Sequence, residues 1–373
     1  MREFLKGPYL WDENHYWETS LIFSESLIPS LNELKNYQEL STPLPFIIFG
    51  ILQHLFQQGI FLGRLFTFIL SLAIAFIIGW GKNNQHHRSV LCLIGLFLCP
   101  YYLFYSGLLY TDIIASFFVL LGVMSYVHNR HFLSSIAFIL AISSRQYTLA
   151  FPMAIAVYEF TIMLVLHLRS HKISLTQHWK WIAYVVACIS IFGWIFLFQG
   201  LAPEVAIEAS ITPEVQKTVW AITPGGAINF LAFAGLHIVI PEFILFKLFS
   251  KFQISRQQKY RIIIVASVLL AYVLIFPPLL FGLGITSGIV DLLPSNFLKF
   301  AFLYFLSLIA CIRFSQPKLI SLMLLFNSFI AIKAHPWDKY ILPMLVVFWY
   351  LKSIGFEEEV EKKNMLLSKP DSN

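Results

Sequence analysis

Charge is scarce in this chain. Only 12% of its 373 residues are Asp, Glu, Lys or Arg, about half the share of a typical globular domain, which excludes a protein with an ordinary hydrated surface. Cysteine is equally uninformative as a scaffold. Cys92, Cys99, Cys188 and Cys311 all sit in apolar runs without CxxC spacing, so neither a disulfide framework nor a zinc site is supported. There is no Gly-rich phosphate-binding loop and no Asn-x-Ser/Thr glycosylation signal. The opening Met-Arg-Glu-Phe-Leu-Lys reads as neither a signal peptide nor a spanning helix. No polar stretch is long enough to fold as a soluble domain.

What is present is hydrocarbon. Hydrophobic residues make up 58% of the chain, with 37 phenylalanines and a mean hydropathy of +0.73. A spanning helix needs roughly 20 apolar residues. Runs of about that kind lie near 59–80, 90–109, 113–128, 132–144, 147–167, 180–199, 226–248, 261–284, 297–313, 317–333 and 339–353. The expected fold is therefore all-α, a polytopic membrane protein of about eleven transmembrane helices. One domain covers residues 1–353: an outer segment 1–58 with amphipathic, interfacial helix around Tyr16–Leu34, then helices from 59 to 353. Pro43–Leu55 is too short to span and suits an interfacial or re-entrant helix. Residues 354–373 form a charged cytoplasmic tail.

Basic residues decide orientation. Lys82, Arg88, Arg130, Arg169, Lys172, Lys180, Lys251, Arg256, Lys259, Arg261, Arg313 and Lys318 fall in alternate loops, which the positive-inside bias assigns to the cytoplasm. The net charge of +6 is thus a topology signal and implies no nucleic-acid partner. The opposite face receives residues 1–42, Asp112, Arg145, the Asp291 loop and residues 334–340. Four of the five aspartates fall there, all but Asp371. A few acids and lone bases gather at one water–membrane boundary.

Several segments at that boundary carry chemistry. Tyr9-Leu10-Trp11-Asp12-Glu13-Asn14-His15-Tyr16 sets an acidic pair among aromatics, either a general base beside a sugar-stacking platform or an interfacial aromatic loop. Asp112, in Tyr110-Thr111-Asp112, lies so close to hydrocarbon that it needs a partner or a task, unless it caps a helix. Arg145-Gln146 interrupts an apolar stretch where a phosphate or carboxylate could be bound, or where Arg145 snorkels to headgroups. His335-Pro336-Trp337-Asp338-Lys339-Tyr340 offers an imidazole, an acid, a cation and aromatic faces together, or an aromatic anchor with a local ion pair. Arg64, Lys299 and Lys333 read as snorkelling residues near helix ends. Glu159 and Glu242 lie within helices and have no assigned role; a backbone group freed by Pro241 could partner Glu242.

In this order the motifs resemble the GT-C glycosyltransferases, and within them the dolichyl-phosphate-glucose α-1,2-glucosyltransferases. The aromatic-x-Asp-Glu opening matches Tyr9–Tyr16, the Thr-Pro-rich helix entry matches Thr42-Pro43-Leu44-Pro45, and Tyr-Thr-Asp and Arg-Gln match Tyr110–Asp112 and Arg145-Gln146. The segment His335–Tyr340 echoes the family's C-terminal basic and aromatic stretch. The likeness is tightest between residues 9 and 150. Such enzymes begin with a spanning helix before the first acidic loop, so an apolar run is expected upstream of Met1.

The resemblance implies inverting transfer of a hexose, such as glucose, from a polyprenyl-phosphate-linked donor to an acceptor hydroxyl on a glycan or lipid-linked acceptor, at the outer or luminal face. Asp12, Glu13 and Asp112 are the catalytic candidates, Asp12 as general base. His15, Thr42, Tyr110, Arg145, Gln146, His335, Asp338 and Lys339 are the substrate-binding candidates. No cofactor is required by this reading; two acids could hold a divalent cation or act without one. The bilayer is a further partner, and the setting is a bacterial plasma membrane or the endoplasmic reticulum membrane. The competing readings are a transporter or flippase for a lipid-linked molecule, and a non-catalytic membrane subunit.

Overall fold

An apolar segment in hydrocarbon must satisfy its amides internally, so it closes its hydrogen bonds as helix. The computed structural model describes residues 7–80, 86–170, 175–208, 214–218, 220–246 and 256–356, and these form helices with no strand among them. Lys82, Lys172, Lys251, Glu357-Glu358-Glu359, Lys362, Lys363 and Asp371 lie outside the described residues.

The first segment forms α1 (Glu13–Ile22), α2 (Leu31–Lys35) and α3 (Leu44–Phe56). The single interfacial helix expected over Tyr16–Leu34 is thus broken in two. Pro29 cannot continue a helix, and Ser30 starts a new one: its hydroxyl accepts from the Glu33 amide at 3.2 Å while the Glu33 carboxylate accepts from the Ser30 amide at 2.5 Å. The chain continues as α4 (Ile60–Gly79), α5 (His86–Phe97), α6 (Pro100–Ser106), α7 (Thr111–Val127), α8 (His131–Ser144), α9 (Ala150–Ser170) and α10 (Leu175–Phe198). Two short helices, α11 (Glu204–Glu208) and α12 (Glu214–Lys217), precede α13 (Gly225–Ala234), a π-helical turn (Gly235–Val239) and α14 (Ile240–Leu245). The rest is α15 (Arg256–Ile275), α16 (Ile285–Asp291), α17 (Asn296–Arg313), α18 (Leu319–Ile330) and α19 (Leu342–Ser353).

Among the described residues, six helices are long and apolar enough to cross a membrane: Ile60–Gly79, Gln146–Val165, Trp179–Phe198, Gly225–Leu245, Gln258–Ile275 and Asn296–Arg313. The number rises to seven if α5 and α6, bent by 78° to each other, are one span. Eleven runs were expected, and the shortfall has two causes. The run over 90–109 is broken at Pro100, which lacks an amide proton and forces Cys99 out of helical geometry to φ −83°, ψ 111°. Elsewhere apolarity reflects protein core rather than lipid. α19 is only 12 residues long and buried on nearly every side, which is how a helix at the centre of a bundle reads.

The packing gives the bundle two chemically distinct ends. α7 runs away from Asp112 and α8 returns towards Arg145, the two joined tightly where Ser134 Oγ donates to the Gly122 carbonyl at 2.7 Å. Asp112 and Arg145 therefore share an end, and Arg130 lies at the other, roughly 25 Å away by the rise of a 17-residue helix. α19 passes between these ends, its Trp349 indole lying flat on Gly95 of α5. At the end opposite Asp112, Glu242 of α14 receives Arg313 Nε and Nη2 at 2.7 and 2.8 Å and Lys352 Nζ at 2.5 Å. Among the described residues, the partners of the Glu242 carboxylate are these two cations.

Candidate active site

The site begins with a turn that separates two adjacent acids. Trp11 adopts a left-handed φ of 54° and lays its ring edge-to-face on Phe104 and Tyr105, at 5.9 and 6.3 Å. Asp12 and Glu13 then start α1 pointing apart. Glu13 is fully buried and bidentate with Arg64, whose Nε and Nη2 donate at 2.8 and 2.6 Å. The same carboxylate accepts from the Leu10 and Leu109 amides at 2.9 and 2.7 Å. Arg64 also donates to the carbonyls of Gly7 and Pro8. A buried charge persists only when paired and hydrogen-bonded, and here every lone pair has a use. Glu13 is thus a positioning residue holding the first loop onto α4, and Arg64, 1% exposed, does not snorkel.

Asp12 turns the other way. Its side chain is 35% exposed, and Oδ2 accepts from Lys339 Nζ at 3.2 Å. Its backbone amide donates to the Tyr110 hydroxyl at 3.4 Å. Lys339 is 2% exposed and stands 3.3 Å from the Trp337 ring centroid, with the Tyr110 ring at 5.4 Å. Aromatic faces hold a cation without neutralising it. Burial pulls the Lys339 ammonium down to about 8, against the upward pull of Asp112 and Asp12, with Arg145 adding to the fall.

Asp112 and Arg145 form the second half. Tyr110 takes the N-cap position of α7, so Asp112 is no cap. It sits in the first turn, where the helix dipole favours an acid, and its oxygens are both engaged: Oδ2 with Arg145 Nη2 at 2.9 Å, Oδ1 with the Tyr147 hydroxyl at 2.9 Å. Arg145 ends α8 in extended geometry, φ −153° and ψ 118°, which swings its guanidinium back over Asp112. Its Nη2 also donates to the Tyr16 hydroxyl at 3.2 Å, while its buried Nε has no hydrogen-bond partner among the described residues.

The remaining candidates divide. Thr42 and Gln146 are used by the backbone: Thr42 Oγ1 donates to the Ile142 carbonyl at 2.8 Å, and Gln146 Nε2 donates to the carbonyls of Leu40 and Leu201 at 2.8 and 3.3 Å. Tyr110 is buried and stacked on Tyr105, centroids 4.0 Å apart. His15 is exposed, and His335 packs beside Phe281 at 5.9 Å. Asp338 is buried; its Oδ2 accepts from Thr286 N and Oγ1 at 2.8 and 2.7 Å and faces His237 Nε2 at 3.1 Å. Lys333 is no snorkelling residue either, since its ammonium caps the carbonyls of Val215, Thr218 and Ala221.

Tyr147 and His237 had no assigned part in the sequence expectation, and Tyr16 entered it as an aromatic beside the acidic pair, not as a partner of Arg145. His237 lies in an otherwise apolar run, and its π-helical turn, of a kind frequent at functional sites, leaves no mark on periodicity. Among the described residues, no group of three or more His, Cys, Asp or Glu side chains is disposed to hold a metal ion.

Long apolar helices, buried ion pairs at both ends and, at one of them, a part-exposed carboxylate paired with buried Lys339 define an integral membrane protein with a polar site at a helix-bundle end. Residues 58–192 match the DIE2/ALG10 family, the dolichyl-phosphate-glucose alpha-1,2-glucosyltransferases, which is the family the motif order resembles and one of membrane glycosyltransferases. The matched stretch holds Arg64, Asp112 and Arg145; Asp12 and Lys339 lie on either side of it. No curated protein and no solved structure gives a match.

Proposed function

We propose that this protein transfers a hexose from a polyprenyl-phosphate carrier to the hydroxyl of a glycan or lipid-linked acceptor, with inversion, at the outer or luminal face of the membrane, on a GT-C-like scaffold. The observation that carries the reading is the convergence on buried Lys339 of the Arg145–Asp112 pair, whose charges it feels, and of Asp12, which it bonds at 3.2 Å and which keeps an unbonded oxygen and access to water. Of the three candidate acids, Glu13 and Asp112 have both oxygens occupied within the protein. Asp12 alone is placed to accept a proton from an arriving hydroxyl.

The chemistry follows from charge. A departing lipid phosphate gains negative charge as its bond to the anomeric carbon breaks, and preformed cations stabilise it. Arg145, whose buried Nε has no partner among the described residues, and Lys339 supply them. A phosphate that attracts Lys339 also loosens its hold on Asp12. The freed carboxylate takes the acceptor's proton as the new C–O bond forms and the old C–O electron pair leaves on phosphate. Asp112 keeps Arg145 oriented. Removal of a general base typically costs about two to four orders of magnitude in rate. Asp12→Asn should therefore reduce transfer from a short-chain polyprenyl-phosphate glucose by that factor, while donor binding persists. Near-normal transfer by a folded Asp12→Asn protein would remove Asp12 from the chemistry.

A further inference from the structure

Glu39 belongs to none of the motifs described above. It lies on the loop between α2 and α3, which is tied down on both sides of it. The Tyr37 hydroxyl donates to the Ser41 carbonyl at 2.8 Å, and the Tyr37 ring packs against Phe23, Phe46 and Phe198. Gln146, next to Arg145, holds the Leu40 carbonyl, and Thr42 holds Ile142. A two-residue stretch is thus clamped over the Arg145 end of the site. Glu39 is partly buried there, yet its carboxylate makes no hydrogen bond or ion pair with any described residue.

We propose that Glu39 is a specificity-determining residue that binds the acceptor sugar, accepting a hydrogen bond from a hydroxyl neighbouring the one that attacks. The inference rests on the glycosyl-transfer reading above. Sugars present hydroxyls in adjacent pairs, and an ionised carboxylate is the strongest neutral-pH acceptor for them. Asp12 addresses the attacking hydroxyl; Glu39, on the water-facing loop above Arg145, addresses its neighbour and fixes which sugar face is offered. The groups around it fit this division. Burial raises the Glu39 carboxyl to about 7, Arg145 and Lys339 draw it down, and Asp12 pushes it up. Tyr16 on α1 and Tyr37 on the loop itself feel its charge in turn. An ionised Glu39 is thus present above about pH 7 and lost below it.

The test uses the full-length protein in detergent, with short-chain polyprenyl-phosphate glucose as donor and a glucose-terminated trisaccharide as acceptor. Glu39→Gln should raise the acceptor KM about tenfold, the value of one charge-assisted hydrogen bond, with donor binding unchanged. Trisaccharide binding to the wild type, read by equilibrium titration, should weaken as pH falls through about 7 and lose that dependence in Glu39→Gln. Glu39→Asp, keeping the charge, should recover part of the affinity. An unchanged acceptor KM in both Glu39→Gln and Glu39→Ala overturns the proposal, as does a folded wild type that binds no trisaccharide. Glu39-dependent trisaccharide binding without any transfer from the donor would uphold it and instead sink the glycosyl-transfer reading.

Discussion

At the scale of single residues, the site is a contest between burial and charge. Lys339 is the clearest case, because burial brings its ammonium to about 8. With its folded value below the ordinary lysine range, the cation is present below about pH 8 and disappears above it. For a donor phosphate bound by Lys339, kcat/KM, which reports the free enzyme, should fall as pH rises through about 8, and Lys339→Met should be low and flat across the same range. A wild-type profile level to pH 9.5 would take Lys339 off the phosphate. Asp12, Asp112, Arg145 and Lys339 were legible because charges beside hydrocarbon are few and costly. The division of labour between Asp12 and Glu13 was not, since neighbouring helix-start residues point in different directions for reasons set by their partners. Arg64 gives the same signal in sequence whether it reaches headgroups or a buried acid. Glu39 looks like any solvated loop acid until the loop around it is seen pinned.

At the scale of elements, the Glu13–Arg64 pair ties α1 to α4 and, through Leu109, to the turn before α7. Breaking a buried pair from one side leaves the other charge unpaired, which costs about 3–5 kcal/mol. Glu13→Gln and Arg64→Met should each lower the unfolding free energy in detergent by about that amount, and the double variant should cost less than their sum, because the partners share the loss. Additive losses would show the two side chains acting separately. The helices themselves were readable from apolar runs, but their lengths were not. A run such as 339–353 is apolar because protein surrounds it, and the bend at Pro100 converts one expected span into a pair.

At the scale of the whole molecule, the two bundle ends differ in kind. One carries Asp12, Asp112, Arg145 and Lys339; the other carries Arg130 and the Glu242–Arg313–Lys352 cluster. By the positive-inside bias, the second end is the one expected in the cytoplasm. Single cysteines at exposed His15 and at exposed Arg130 should accordingly be labelled from opposite sides of sealed vesicles by an impermeant thiol reagent. Labelling of both from one side would overturn the topology and the site's proposed face together. Sequence charge alone conveyed this polarity, although it could not convey how many helices separate the two ends.

The Asp12–Lys339 pair joins positions 327 residues apart, and that separation has a consequence in time. Chains are made from the N-terminus and fold as they emerge. The first loop, with Asp12 at its turn, waits through the insertion of α4 to α18 before its cation arrives at the head of α19. A growing chain can therefore hold most of its bundle in the membrane while its centre is still missing one charge. Glycosyl transfer on the proposed mechanism becomes available only once Lys339 has been made and packed against Asp12.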